Sequence, residues 1–593
     1  MRRRFDFLPL CFILVLAMPA SPSRAAWPPT GYPLCNVPED LNVPIGLSGV
    51  SCVPFECGAY LSLFWQDQRS NFGSIYTSGV SDAQPPDPPP VNEATLVLQR
   101  PGTQTPGGVV GVDFVQCVSQ FCSQPRVFVW TDAPDTIPSL IRARRERDGE
   151  PSANWDGVIV APSDGAQSEP VVIHDLHGGA IVAWLEETLE HRWVMAQRLD
   201  PFGNRLWGGS GVLVGTDTTT QTHPQIAPDG VGGAYILRED LRGGVRTLAL
   251  FRLTPEGTSA PGWPAAGVVL GTAPLELPEP LLRATGSGAW LVWSESVTLS
   301  DAAPATRPFV TLVDSGGVVA QSLTAAGTPV ATGLEGDAVA DDAAVGGGDD
   351  LIVAYEYTQR LPAASPTSTD LFAARFDVNG ARPSGWPETG LRVCGAPGVQ
   401  RQGRVLGNLF FAWTDERSGD GDIYALELVA DGTHAVEWPD DGLLVCGVAG
   451  TQQDPVIGRN LVGGAFVVWR DGRDAITNGW DLYAQTVSSD AQLRLDVERP
   501  IARAFGLSAA RPNPARSSVR LRLEMPQTGD VRLDVLDVAG RLVHRSRISA
   551  PAGTSELAWD GRTASGVRAP PGLYLLRVRV GPSERSTRVV LTE

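Results

Sequence analysis

A chain of 593 residues is too long for one compact core, so several domains or a repeat array are expected. A formal net charge of −19 argues against nucleic acid and anionic membrane partners, and the absence of lysine excludes Schiff-base chemistry and a Walker-type phosphate lysine. Gly 65 and Pro 49 divide the chain into short, β-branched apolar runs, the pattern of an all-β protein.

The chain opens with "MRRRFDFLPLCFILVLAMPASPSRAAW", three Arg ahead of a short apolar run and then small residues. Residues 1–25 read as an export signal cut before Ala26, because the run is shorter than the ~20 residues a spanning helix needs. No later segment is apolar enough to span, so the expectation is a secreted or cell-surface protein with no membrane span after cleavage. "CVPFEC" and "CVSQFC" place Cys52 with Cys57 and Cys117 with Cys122, a spacing that suits tight disulfides in an oxidising compartment. The proline tract "QPPDPPPVNEA" (84–94) reads as a spacer from the first repeat.

Self-comparison then organises residues 26–498. "AYLSLFWQD", "RVFVWTD", "HGGAIVAWLEE", "VGGAYILRED", "GSGAWLVWSES", "DLIVAYEYT", "NLFFAWTDE" and "VGGAFVVWRD" are eight versions of one strand, about 54–65 residues apart. Each is followed by a second strand, a Gly-bearing turn that often ends in Trp, and a strand such as "GLRVCG" or "GLLVCG". Four short antiparallel strands per unit cannot bury both sheet faces alone, whereas radial stacking on like neighbours does. The expected fold is an all-β β-propeller of eight blades, or seven if the degenerate stretch near 270–350 merges with its neighbour. "GYPLCN" (31–36) matches the outer strands of other units, so it is expected to close the last blade.

Three repeats share a fuller skeleton, Trp-x-Asp-x-Arg with a Tyr strand after it. They are Trp65, Asp67 and Arg69; Trp413, Asp415 and Arg417; and Trp469, Asp471 and Arg473. Copies on different blades cannot converge on one substrate atom, so the motif reads as structural: Trp between blades, Asp and Arg paired to hold a loop. His174 and His177 lack a completing ligand set for a metal. The acidic loops at 341–350 and 418–424 lack a calcium-loop register and read as solvated turns, so no cofactor is expected, calcium being the weak alternative. The chain has no His-Glu-x-x-His, Gly-x-Ser-x-Gly or Cys-x-x-Cys motif. The connections after the Trp strand vary most, as at 294–308, 356–370 and 470–481, and would share one propeller face. A glycan or protein ligand of a monomeric chain is expected there. The alternative is an extracellular propeller-type glycoside hydrolase or polysaccharide lyase.

Residues 499–514 read as a Pro-punctuated linker, and 515–593 alternate apolar and polar residues with turns between, a small β-sandwich. This tail is basic, with 14 Arg against 8 acids over 506–593. Pro512, Asn513 and Pro514, then Gly540 and Arg541, Trp559, Asp560 and Gly561, and Gly572 with Tyr574 resemble the Ig-like domain shared by flagellar hook-capping proteins and type A sorting domains of type IX secretion. The resemblance implies surface delivery or anchoring, with the tail read by export machinery. "APPGLY" departs from the family, which usually has a small residue before that Gly.

Overall fold

The computed structural model describes strand backbone from Tyr32 and side chains chiefly from Arg126 to Thr592, leaving out connections such as 134–137, 217–219, 274–277, 300–302, 360–367, 461–463, 474–479 and 494–505. Residues 1–31, Cys52, Cys57, Arg69, the tract 84–94 and Gly540 lie outside the described residues; Cys35, Trp65, Asp67, Cys117 and Cys122 are described by backbone alone. The described elements are all strands, and they separate into two compact units that divide between Asp496 and Val497.

The first unit contains eight four-stranded antiparallel sheets, each with an innermost strand, a central Trp-type strand, a third strand and an outer strand. Blade 3 is typical, with Ala166–His174, Ala180–Glu187, Arg192–Leu199 and Val212–Leu213 in that order. The innermost strands of successive blades lie against one another, and Gln452–Arg459 of blade 8 touches Gly46–Val50 of blade 1. The sheets therefore form a closed eight-bladed propeller. The stretch 270–350 holds a separate fifth blade, Leu281–Ala284, Gly288–Thr298, Pro304–Asp314 and Thr328–Pro329, which removes the seven-blade alternative. The outer strand of blade 8 is Tyr32–Cys35, paired with Asp481–Val487 in the register Tyr32↔Ala484, Pro33↔Tyr483 and Cys35↔Leu482.

The central strands are buried on both faces, as in Ala180–Leu185 and Phe410–Asp415, so they read as apolar runs rather than alternating ones. Trp130, Trp184, Trp293, Trp413 and Trp469 sit on them with at most 1% exposure. Apolar clusters run from blade to blade; the one around Trp413 and Trp469 draws on blades 6, 7 and 8. That is why one blade is not stable alone.

The second unit pairs a three-stranded sheet (Gly506–Leu507, Val519–Met525, Gly553–Trp559) with a four-stranded sheet (Leu542–Ala550, Gly529–Asp537, Gly572–Val580, Ser583–Leu591). Leu521, Leu533, Trp559, Leu576 and Val589 belong to its core. Part of the segment expected as linker belongs to this fold: Gly506 and Leu507 pair with Glu524 and Leu523, and Ala510 is buried in the core. Pro punctuation concealed it, because a two-residue strand carries no periodicity.

Candidate functional site

The three Trp-x-Asp-x-Arg copies lie on consecutive blades, 7, 8 and 1, and the two with described side chains share one geometry. Trp413 Nε1 donates to Asp415 Oδ2 at 2.9 Å, and Arg417 Nε and Nη2 donate to the two Asp415 oxygens at 2.9 and 2.6 Å. Blade 8 repeats this: Trp469 Nε1 to Asp471 at 2.8 Å and Arg473 to the same carboxylate at 2.8 and 2.6 Å. Each guanidinium also stacks on the Tyr of the next strand, Arg417 at 4.0 Å over Tyr424 and Arg473 at 3.8 Å over Tyr483. The outer strand of the preceding blade supplies a buried thiol: Arg417 Nη2 reaches Cys394 Sγ at 3.2 Å and Arg473 Nη2 reaches Cys446 Sγ at 3.7 Å. Burial pushes Cys394 up to about 12 and Cys446 up to about 11, so neither is a nucleophile near neutral pH. Both cysteines are free. In the hairpin of Gln116–Val118 and Phe121–Ser123, Cys117 and Cys122 are opposite in register.

Other blades keep the donor-to-carboxylate pair while changing the residues. Trp293 Nε1 donates to Glu295 at 2.7 Å. In blade 4, Arg238 takes the Trp position, pairs with Asp240 at 3.0 Å and lies 4.6 Å over Phe251. Blade 6 has Tyr355 there, and its buried hydroxyl has no partner among the described residues.

A second set of fasteners sits on the opposite face and was not legible as chemistry. Trp207, Trp263, Trp386 and Trp438, from the Gly-bearing turns, donate Nε1 to a carbonyl of the next blade: Pro255, Ser315, Ala430 and Ser489, at 2.9–3.0 Å. Arg198, Arg252 and Arg375 donate to Asp175, Asp229 and Asp350 within their blade, and with Nη1 to the same carbonyls of Pro255, Ser315 and Ala430. Blade 7 has Glu427 where the others have Arg. Burial raises its carboxyl to about 7, and Oε2 has no hydrogen-bond partner among the described residues.

Near the ring axis, on the face of the variable loops, the innermost strands carry a bulge. Glu169, His223, Gln402 and Asp454 occupy it with φ of 52°, 48°, 58° and 55°. The register breaks at each of them. Such φ values are uncommon for residues with a side chain and mark strain or function. Pro follows in three of the four, where a bulge spares the ladder a missing N–H. The released N–H groups reach the preceding blade: His223 N donates to Glu169 at 3.2 Å, Gln402 N to Glu356 at 2.8 Å and Asp454 N to Gln402 at 3.0 Å. Sequence held a signal for this, the recurring Gln-x-x-Pro of "QSEP", "QTHP" and "QQDP".

Two groups at the ring of bulges are shifted from their ordinary titration. Burial first, then the charge and hydrogen bond of Glu356, raises Asp341 well above the usual carboxylate range. His223 is raised chiefly by its 3.0 Å hydrogen bond to buried Glu239, against the effect of burial. These groups could meet a polar ligand, but most are engaged by the neighbouring blade. Among the described residues no set of three His, Cys, Asp or Glu could hold a metal ion.

In the C-terminal unit the motif residues serve the fold. Asn513 donates to the Arg588 carbonyl at 3.1 Å and accepts from Val590 N at 3.0 Å, covering the edge of the last strand. Asp537 accepts from Arg541 N and Nε, closing the turn. Trp559 donates to the Arg562 carbonyl and stacks edge-on against Tyr574, whose hydroxyl donates to Pro570. Residues 513–582 match the family model of the FlgD Ig-like domain. A groove at that end of the FlgD-like unit is lined by Val538, Arg541, Leu542, Pro571, Leu573 and Tyr574.

Among solved structures, the chain resembles the α-L-arabinanase of Penicillium chrysogenum at 10% identity, over 55% of this chain and 96% of that one, with TM-score 0.31. It resembles the GH93 α-L-arabinofuranosidase of Fusarium graminearum at 11%, over 56% and 96%, with TM-score 0.31. It also resembles PorZ, a surface component of the type IX secretion system of Porphyromonas gingivalis, at 9%, over 95% and 100%, with TM-score 0.18. Likenesses of this size transfer no activity. No curated protein matches the chain.

Proposed function

We propose that this is a secreted or cell-surface propeller that binds an extracellular glycan or protein through its variable-loop face, with the Ig-like unit serving export or anchoring. One observation carries the reading: the recurring Trp, Asp and Arg are engaged within or between blades, so what differs between blades lies in the connections after the central strands. A rigid ring with varied loops is a recognition scaffold. The tail reading is supported by the match of 513–582 to the FlgD Ig-like domain.

The test is a glycan array together with a polysaccharide hydrolysis screen on the purified chain. Binding without turnover, lost when 474–479 is replaced by a short Gly-Ser loop while Tm is kept, supports the proposal. Turnover abolished by changing Glu356 or His223 would instead establish the glycosidase or lyase reading. Deleting 506–593 is expected to stop surface display while leaving ligand binding intact.

A further inference from the structure

The two outer faces of the Ig-like sandwich differ in charge. On the three-stranded sheet, buried Val519, Leu521 and Leu523 set Arg520 and Arg522 outward. Glu556 lies opposite Arg522 and meets Arg520 at 3.3 Å, so one carboxylate serves both Arg. That face is nearly balanced.

The four-stranded sheet is not. Buried Val531, Leu533 and Val535 on one strand, and Leu576 and Val578 on the next, place the alternate residues outward. The register then aligns Arg547, Arg532 and Arg579 across three adjacent strands, and Arg545, Asp534 and Arg577 in the row beside them. Arg588, opposite Leu575 on the fourth strand, adds a sixth. Asp534 is the one acid within these two rows of three strands. Burial opposes its ionisation, but Arg532 and Arg545, each at 2.6 Å, hold its carboxyl at about 2. On the fourth strand Glu584 stands opposite Arg579 in the register, and Asp530 stands opposite Ser549 in the next row, so these six Arg share the sheet with three acids, Asp530, Asp534 and Glu584.

Like charges directly opposite one another weaken a sheet. The row Arg547–Arg532–Arg579 therefore works against stability, while the buried side chains beneath it already provide the packing. Strands about 4.8 Å apart, with outward residues about 6.8 Å apart along each, space the guanidinium groups at roughly the length of a sugar residue. Guanidinium forks bind carboxylate and sulfate groups strongly and with fixed geometry.

We propose that this sheet face binds an anionic polysaccharide with charged groups in series. The positions in these rows are Arg, Asp, Glu, Ser and aliphatic residues. Without an aromatic platform on which bases could stack, the face does not suit single-stranded nucleic acid.

The probe is immobilised polygalacturonate, titrated with the full chain at about 50 mM and about 0.5 M salt, where screening separates surface electrostatics from other contacts. Binding is expected at low salt and lost at high salt. Arg547 and Arg588 are exposed, so their substitution leaves the fold intact. Arg547→Glu with Arg588→Glu is expected to weaken binding about tenfold, and the corresponding Gln pair about threefold. Arg520→Glu with Arg522→Glu, on the balanced face, is expected to leave it unchanged. Equal loss from the balanced-face variant, unchanged binding in the Arg547/Arg588 variants, or tighter binding to single-stranded DNA or anionic vesicles overturns the proposal.

Discussion

Blades 7 and 8 carry the full Trp-Asp-Arg-Tyr set, whereas blade 4 has Arg238 with Asp240 and blade 6 has Tyr355 with no carboxylate two residues on. All four blades nevertheless hold the same four-stranded sheet in the same ring. The repeat therefore requires a large flat group at one position; in blades 3, 4, 5, 7 and 8 an acid two residues later accepts from it, whereas Trp130 Nε1 of blade 2 has no partner among the described residues. Arg238 meets both needs, since its guanidinium lies flat on Phe251 and donates to Asp240. A catalytic constellation would not tolerate an exchange of Trp for Arg.

The comparison can be broken at its strongest point. Trp469→Ala removes a fully buried ring from the cluster shared by blades 6 to 8 and leaves Arg473 and Asp471 without it. A loss of about 3–5 kcal/mol is expected in denaturant unfolding. A loss below about 1 kcal/mol would deny the Trp its fastening role.

Glu427 sharpens the contrast on the opposite face, where blades 3, 4 and 6 place an Arg that grips the next blade. Its folded value of about 7 lies above the ordinary 4.5, so folding retains a proton that the unfolded chain releases in between. Stability is full below the ordinary value and falls as pH rises toward 7, then levels. Glu427→Gln is thus expected to raise Tm at about pH 8 and leave it unchanged at about pH 4. An equal gain at both values would place the effect elsewhere.

The smallest effect belongs to blade 6. Tyr355→Phe deletes a buried hydroxyl that has no partner among the described residues and sits against Gly390. Stability is expected to stay within about 1 kcal/mol of the parent, with any change toward greater stability. A clear loss in urea unfolding would show that the hydroxyl is satisfied.

Much of the architecture was readable because burial on both faces of the central strands forces the same apolar run in every blade. The eightfold repeat, the central place of the Trp strand and the sandwich after it all follow from that. The bulges were not readable: a left-handed φ at Glu169, His223 or Asp454 leaves no mark on residue type, and only the Gln-x-x-Pro context repeats. The blade-to-blade Trp latches were visible as residues but not as contacts, because their acceptors are backbone carbonyls some fifty positions away. Arg238 was hidden for another reason, since it fills the Trp position with a residue that ordinarily stays at the surface.

The central claim is that the eight sheets close into one ring with the strand Tyr32–Cys35 as the outer edge of the last blade. Hydrogen exchange across Asp481–Val487, compared between the chain from residue 26 onward and one beginning at residue 37, tests this directly. The account predicts slow amides in Tyr32–Cys35 and in its partner strand in the longer chain, and fast exchange in that strand once its partner is gone. Equal protection of 481–487 in both chains, with 32–35 exchanging at unstructured rates, would contradict it.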